Sequence, residues 1–159
     1  MKTTPRSKRK AAGIRAILEG EAGQNLVEFA VVTPVLLLLL VGAVEVGRLA
    51  YLGMLVQNAA RAGVQYGSQS LATAADNTGM QNAALNDGQN ISGLTAAASH
   101  YCTCADGSSS SCAAGDCSGS HMLVYVQVNT TGQFQPLIHC PGLPSTYVLN
   151  GQVVMRVAQ

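Results

Sequence analysis

The feature that most constrains this chain of 159 residues is an apolar stretch without a charged side chain, residues 29–44. Apolar residues on either side extend it to residues 26–46, with Glu28 and Glu45 near its two ends. A helix needs roughly 20 residues to cross the hydrocarbon core of a bilayer. A buried core helix would instead need a large domain around it, and the rest of the chain is too short for one. The stretch predicts one membrane span, in which Pro34 is tolerated with a kink.

The charges are divided unevenly about this stretch. Before Gln24, six basic side chains face two acidic ones, whereas three arginines face six acidic side chains from Gln24 onward. The six early basic residues are Lys2, Arg6, Lys8, Arg9, Lys10 and Arg15. Lys and Arg flanking a span are retained in the cytoplasm. We therefore expect a single-pass protein of the inner (cytoplasmic) membrane, with a cytoplasmic N-terminus and a periplasmic or extracellular domain after about Arg48.

Composition argues against two classes of function. The part beyond the span is acidic, and the chain has no Trp and two Phe, so it lacks a basic surface for phosphates and a stacking platform for bases. Paired carboxylates, a phosphate-binding loop and a Ser/His/Asp arrangement are not recognisable in the sequence. We expect no nucleic-acid partner, no enzyme activity with catalytic residues, and no cofactor.

The junction before the stretch has a specific pattern. A long basic leader ends at Gly23, Gln24 follows, and Glu28 stands five residues after the glycine. A secretory signal has a shorter basic region and a small-residue cleavage site after its apolar region, so it fits poorly. Glycine before the helix with a lone glutamate at this spacing is typical of a type IV prepilin. The pattern predicts cleavage between Gly23 and Gln24.

Four segments together resemble a known family: residues 23–34, the leucines of residues 36–40, residues 42–49 and residues 58–63. The chain resembles a TadE-like pseudopilin, a minor pilin of the tight-adherence (Flp/Tad) pilus system. The resemblance implies a structural or assembly component, incorporated in the pilus or priming it. It also implies partners: prepilin peptidase, other pilins and pseudopilins, the Tad secretion machinery and membrane lipid.

Two acidic residues are candidate assembly or packing sites. A carboxylate in an apolar helix is usually retained because it has a partner. Cleavage would create a free amine at Gln24, and the resemblance implies that Glu28 pairs with that amine on a neighbouring subunit during assembly. The residues alone leave open a glutamate solvated by lipid headgroups. Glu45 is expected to pair with Arg48, three residues further along the same helix.

Beyond Arg48 a helical pattern continues to about residue 68. An apolar stripe is formed by Tyr51, Leu55, Ala59, Ala62 and Tyr66. A second line of small residues at spacing four consists of Ala59, Gly63 and Gly67. Small residues allow a sheet or another helix to approach closely. We expect packing within the chain rather than a filament contact.

The remaining sequence predicts an α+β fold, in which a long N-terminal helix packs on a small antiparallel sheet in a pilin-like manner. Strands are expected at residues 94–104, 122–129, 134–138 and 152–158. Residues 68–93 are expected to be a connector with a short helix at 76–85 and little to bury, and residues 105–120 a loop. The expected divisions are a leader (1–23), a transmembrane helix (24–47), its amphipathic continuation (48–70) and a disulfide-linked domain (71–159).

All five cysteines follow the predicted span: Cys102, Cys104, Cys112, Cys117 and Cys140. An oxidising compartment and a small core favour disulfides. Closure of a short loop favours Cys112 with Cys117, and Cys140 is then expected to join Cys102 or Cys104. Because the spacing lacks the C-x2-C knuckle, it favours neither a metal site with His100, His121 or His139 nor a redox pair.

Two functions therefore compete at this point. The first is a pilus pseudopilin inserted as a prepilin. The alternative is an uncleaved, single-pass, membrane-anchored periplasmic binding or adhesion module. The mature N-terminus distinguishes them, and a redox enzyme is a more distant third reading.

Overall fold

The computed structural model describes residues 21–113, 115–138, 142 and 144–158. The chain divides into two units, residues 1–44 and residues 45–159. The elements in chain order are helices α1 (Glu21–Gly67), α2 (Leu71–Ala75) and α3 (Asn77–Asp87), followed by strands β1 (Thr95–Cys104), β2 (Ser109–Ser110), β3 (Met122–Phe134) and β4 (Tyr147–Arg156). The molecule has the predicted α+β fold, with a long N-terminal helix followed by a small antiparallel sheet.

Helix α1 continues through Pro34, as the sequence predicts. Proline has no N–H, so the Ala30 carbonyl loses its usual helical donor. In the turn before the proline, the Thr33 hydroxyl donates to the Phe29 carbonyl oxygen at 2.6 Å. The membrane-type sequence therefore remains helical across its one backbone interruption.

Two short helices follow α1. Ser70 and Thr73 form a reciprocal capping box at the start of α2. Asp76 caps α3 by accepting the Gly79 N–H at 2.8 Å and also accepts the Tyr66 hydroxyl at 2.9 Å. These bonds satisfy helix-terminal donors that would otherwise have no partner. The short helix expected at 76–85 is confirmed.

The expectation that residues 68–93 bury little is wrong. Met80 and Ala84 of α3 are fully buried, and Ile91 is nearly so. Spacing of four places Met80 and Ala84 on one helix face, which covers the core. The segment is rich in Ala, Asn, Gly and Ser, and its few large apolar residues do not form a pattern from which their burial could be predicted.

The four strands form one antiparallel sheet in the order β2-β1-β3-β4. The strand expected at 134–138 does not form, since β3 runs to Phe134 and residues 135–138 lie outside any strand. Pro136 lacks the N–H needed to continue a ladder. Strand β4 begins at Tyr147, earlier than the expected residue 152, because its first half pairs with the extension of β3.

One face of the sheet packs on the second half of α1. The approach is close at Gly63, where an added Cβ would lie 3.0 Å from Val128 Cγ2 of β3 and 2.8 Å from the Met80 backbone oxygen of α3. The buried Thr130 hydroxyl donates to the Val56 carbonyl oxygen at 2.8 Å. Residue numbers rise along α1 while they fall along β3, so the two elements run antiparallel. The contacts that establish this are Gly67 with Val126, Gly63 with Val128, and Val56 with Thr130 and Gly132.

The packing face of α1 differs from the predicted stripe. Its fully buried side chains are Val56, Ala59, Ala60 and Val64. Of the predicted stripe only Ala59 is buried, and Tyr51 is exposed. The line of small residues is the better guide, since Ala59, Gly63 and Gly67 all face the interior. Valines on the sheet fill the space that these small residues leave, so the expected packing within the chain is confirmed.

The disulfide pairing also differs from the expectation. Cys102 is bonded to Cys112 and Cys104 to Cys117, with Cα–Cα distances of 5.2 and 5.5 Å. The expected Cys112–Cys117 bond is therefore wrong. Cys102 and Cys104 are two positions apart on β1, so their side chains point to the same face of the sheet. The chain after β1 returns along it as β2, which brings Cys112 and Cys117 to that face. Cys140, and the bond expected for it, lies outside the described residues.

Candidate functional site

The part of α1 that belongs to the first unit carries a surface of large apolar side chains. Every residue from 34 to 40 is exposed, and Leu38 is 73% exposed. The helical segment Asn25–Gly67 is long and apolar enough to cross a membrane, with a mean hydropathy of 2.5 in its most apolar window. Large apolar surfaces of this kind mark contact with lipid or protein. The helix fits a membrane anchor.

Glu28 lies on this apolar surface. It lines a shallow groove with Asn25, Phe29 and Val32, of which Asn25 and Val32 share its helix face at spacings of three and four. Among the side chains that the structure describes, none forms a hydrogen bond or ion pair with Glu28. The groove therefore offers one carboxylate beside two apolar side chains and one amide, an arrangement suited to a cationic partner from outside the described residues.

The predicted processing residues lie one helical turn before Glu28. The backbone of Gly23 and Gln24 is helical and belongs to the start of α1. Cleavage between Gly23 and Gln24 stays a prediction, as does the role of Glu28 in assembly. The spacing of one turn means that a free amine at residue 24 would approach Glu28 of the same or of a neighbouring helix.

The predicted pair of Glu45 and Arg48 is confirmed. Arg48 Nη1 donates to both carboxylate oxygens of Glu45, at 3.0 and 3.2 Å. Glu45 also accepts the backbone N–H of Leu137 at 3.1 Å, and the Arg48 guanidinium lies 5.4 Å from the centre of the Phe134 ring. The sequence gives no signal for the contacts with Phe134 and Leu137, because they join residues far apart in the chain.

A cavity of about 360 Å³ opens beside Arg48. Its walls include Leu55, Asp87, Ile91 and Phe134. The cavity has one cation and one carboxylate, and Glu45 and Phe134 already engage the cation. A nucleophile and base pair is absent from the residues that line it. Within the described parts of the chain, no three His, Cys, Asp or Glu side chains are grouped to hold a metal ion.

The apolar helix, its single carboxylate and the Glu45–Arg48 pair all fall in one segment that matches a known family. Residues 23–65 match the family model of TadE-like proteins. This match confirms the resemblance seen in the sequence. Neither a curated protein nor a solved structure matches the chain significantly.

The TadE-like segment begins at Gly23 and includes Glu28, Glu45 and Arg48. It ends at Gln65, shortly before the end of α1. The sheet and both disulfides therefore lie outside it. The family match concerns the helix, and the outer domain must be understood from its own contacts.

Proposed function

We propose that this chain is a pseudopilin of a Tad-type pilus, inserted in the membrane as a prepilin and processed after Gly23. The observation that carries the proposal is Glu28, a carboxylate without a described partner on an exposed apolar helix inside the TadE-like segment. Its function is structural rather than catalytic. Its partners are prepilin peptidase, which removes the leader, and the other pilins, pseudopilins and secretion machinery that assemble the fibre.

The proposed topology places the basic leader in the cytoplasm and residues 24–47 across the inner membrane. The amphipathic continuation at 48–70 and the domain at 71–159 then lie on the periplasmic or extracellular side. Six basic side chains before Gly23 support this orientation through the positive-inside rule. The two disulfides support it independently, because disulfides persist in oxidising compartments.

Glu28 is the proposed recognition residue for assembly. An ionised carboxylate is unfavourable by about 2.5–3.5 kcal/mol at the centre of a membrane helix and by less toward its ends, so a partner that neutralises Glu28 has a driving force to bind. Processing creates that partner, a free amine at Gln24. Pairing of Glu28 with the amine of a neighbouring subunit would select processed subunits and set their axial position.

The proposal is tested by replacing Glu28 in cells that form the pilus. Glu28→Gln keeps the shape and removes the charge, so we expect a processed, membrane-resident protein that fails to support pilus formation. Glu28→Asp keeps the charge with a shorter reach and should be partly impaired. Leu26→Ala changes the same helical turn without touching the charge and serves as the control. Processing is followed by mass and pili are counted by electron microscopy.

Normal pilus numbers with a processed Glu28→Gln protein would contradict the recognition role. Glu28 would then be a carboxylate solvated at the headgroup level. Loss of pili in Leu26→Ala as well would mean that this turn is sensitive to any change, and the loss in Glu28→Gln could then not be assigned to the charge.

A further inference from the structure

The connection between β3 and β4 lies beside the outer end of the proposed membrane span. Strand β3 runs antiparallel to α1, so each step toward its end at Phe134 moves toward lower residue numbers on the helix. Phe134 accordingly lies against Arg48. Three residues later, the Leu137 N–H donates to Glu45 at 3.1 Å. Glu45 lies in the last turn of the proposed span, residues 24–47, and Leu137 therefore contacts that turn.

The part of this connection that the structure describes after β3, residues 135–138, presents apolar side chains to the solvent. Leu137 is 69% exposed, the largest value for a large apolar side chain among the described residues from 45 to 158. Ile138 is 49% exposed. Val148, near the start of β4 at the same end of the sheet, is exposed as well. Three large apolar side chains are therefore uncovered at the one end of the domain that adjoins the span.

The surroundings have the composition of a membrane interface. Residues 117–155 contain no Asp, Glu, Lys or Arg, so the whole connection is free of formal charge. Arg48 stacks on Phe134, and Tyr51 is exposed on the next turn of α1. Trp and Tyr are enriched where a membrane protein meets the headgroups, and an Arg near a helix end extends its charge toward them. A polar, charged loop would be expected here if this end of the domain faced only water.

The Glu45 carboxylate and the Leu137 backbone N–H at this end are paired within the chain. Glu45 is paired with Arg48 and accepts the Leu137 N–H, so neither its charge nor that backbone donor is left unpartnered. Unpaired charges and backbone donors oppose entry into lipid. The pairing removes that opposition at the point where the loop meets the helix.

We propose that Leu137 and Ile138 insert into the outer surface of the lipid bilayer and form a second membrane attachment of the domain. The occupant of this apolar surface is lipid, because the surface is continuous along the chain with the proposed span and carries no charge. Attachment at both α1 and the β3–β4 connection holds the domain against the bilayer until a subunit leaves the membrane. The inference rests on the proposed span but not on the pilus role.

The chain has no Trp, so a single introduced Trp reports its own surroundings. Full-length protein carrying Leu137→Trp is reconstituted in vesicles of phosphatidylethanolamine and phosphatidylglycerol. The vesicles contain lipid brominated either near the headgroup or deep in the acyl chain. We expect a blue-shifted emission and a loss of fluorescence that is greater with shallow bromines. Ile138→Trp repeats the measurement in case the first variant does not fold.

Two further Trp variants separate the possible failures. Leu38→Trp lies within the proposed span and should be quenched most by deep bromines. Leu71→Trp replaces an exposed leucine of α2, beyond the far end of α1, and should not be quenched. If Leu38→Trp is not quenched, the membrane span itself is wrong.

If Leu38→Trp is quenched while Leu137→Trp and Ile138→Trp are not, the second attachment is overturned and the span stands. A blue-shifted Leu137→Trp that bromines fail to quench would place the loop against a second copy of the chain, which also overturns the proposal. Quenching of Leu71→Trp to the same extent would mean that the whole domain lies on the bilayer without a specific contact.

Discussion

The two halves of α1 differ in what covers their apolar side chains. Residues 34–40 include a run of large leucines that the chain leaves exposed. In contrast, Val56, Ala59, Ala60 and Val64 are fully buried under the sheet. Both halves are helical and rich in apolar residues, so hydrophobicity alone does not decide burial within the chain.

Side-chain size explains the difference. The buried face of the second half consists of valine, alanine and glycine, which lets the valines of β3 approach the helix backbone. The first half presents leucines on all sides, and no residue that the structure describes covers them. Exposing a Leu side chain to water is unfavourable by about 1.5–3 kcal/mol. The first half therefore requires a cover from outside the chain, which we propose to be lipid and neighbouring pilin helices.

The largest expected change in stability comes from a substitution of Met80, which packs against the second half of α1. Met80→Ala removes a fully buried side chain and should lower the free energy of unfolding of the outer domain by about 2–5 kcal/mol. Leu38→Ala in the first half should change it by less than about 0.5 kcal/mol. Urea unfolding of the detergent-solubilised protein measures both. Equal losses of unfolding free energy in the two variants would mean that both halves of α1 are packed within the chain.

The disulfides hold the sheet that covers the second half. Replacing both Cys104 and Cys117 by Ala should lower the free energy of unfolding by about 2–3 kcal/mol, because the bond closes a short loop. The helical content of the first half should be unaffected. Circular dichroism during urea unfolding checks the first effect and residual helix checks the second.

Thiol labelling tests the disulfide pairing. Alkylation without reduction should label one cysteine of the native protein, and Cys140→Ser should abolish that label. Labelling of all five cysteines would contradict the disulfides and revive the metal reading. Labelling elsewhere than Cys140 would contradict the pairing of Cys102 with Cys112 and Cys104 with Cys117.

Two glycines of α1 give a matched test of close packing. Gly63→Ala places a Cβ 2.8 Å from the Met80 backbone oxygen, whereas an added Cβ at Gly53 meets nothing within 4 Å. Both changes gain about 0.5–1 kcal/mol from helix propensity. Gly63→Ala should still lose about 1–3 kcal/mol from overpacking, and Gly53→Ala should be neutral or stabilising. Thermal unfolding distinguishes them, and equal behaviour would contradict the close approach.

The smallest expected effect is a pH dependence at Asp76. The Gly79 N–H and then the Tyr66 hydroxyl lower the pKa of Asp76 below its ordinary value. A lowered pKa means that the unfolded chain binds the proton more readily, so stability is present above the ordinary pKa and falls as pH decreases through the folded one. Asp76→Asn should flatten the loss of stability below about pH 4. If the free energy of unfolding depends on pH in the same way in Asp76→Asn, Asp76 does not contribute to acid stability.

Features with a local period could be predicted from the sequence. The helix, the Glu45–Arg48 pair and the small-residue line depend on spacings of three and four, which the chain displays directly. The contact of Glu45 with Leu137 and the burial of Met80 depend on how distant segments meet, and no local spacing encodes that. The disulfides show the same limit. Loop length alone favours Cys112 with Cys117, but the return of the chain along β1 places these two cysteines beside Cys102 and Cys104.

The identity of the first half of α1 as a processed prepilin helix is tested most directly by the intact mass of the mature protein. The measurement uses membrane-extracted protein from cells that form the pilus. The account predicts a chain that begins at Gln24 and lacks residues 1–23. A mature chain that retains the basic leader, or one that begins after Ala43 as an ordinary secretory protein would, contradicts it.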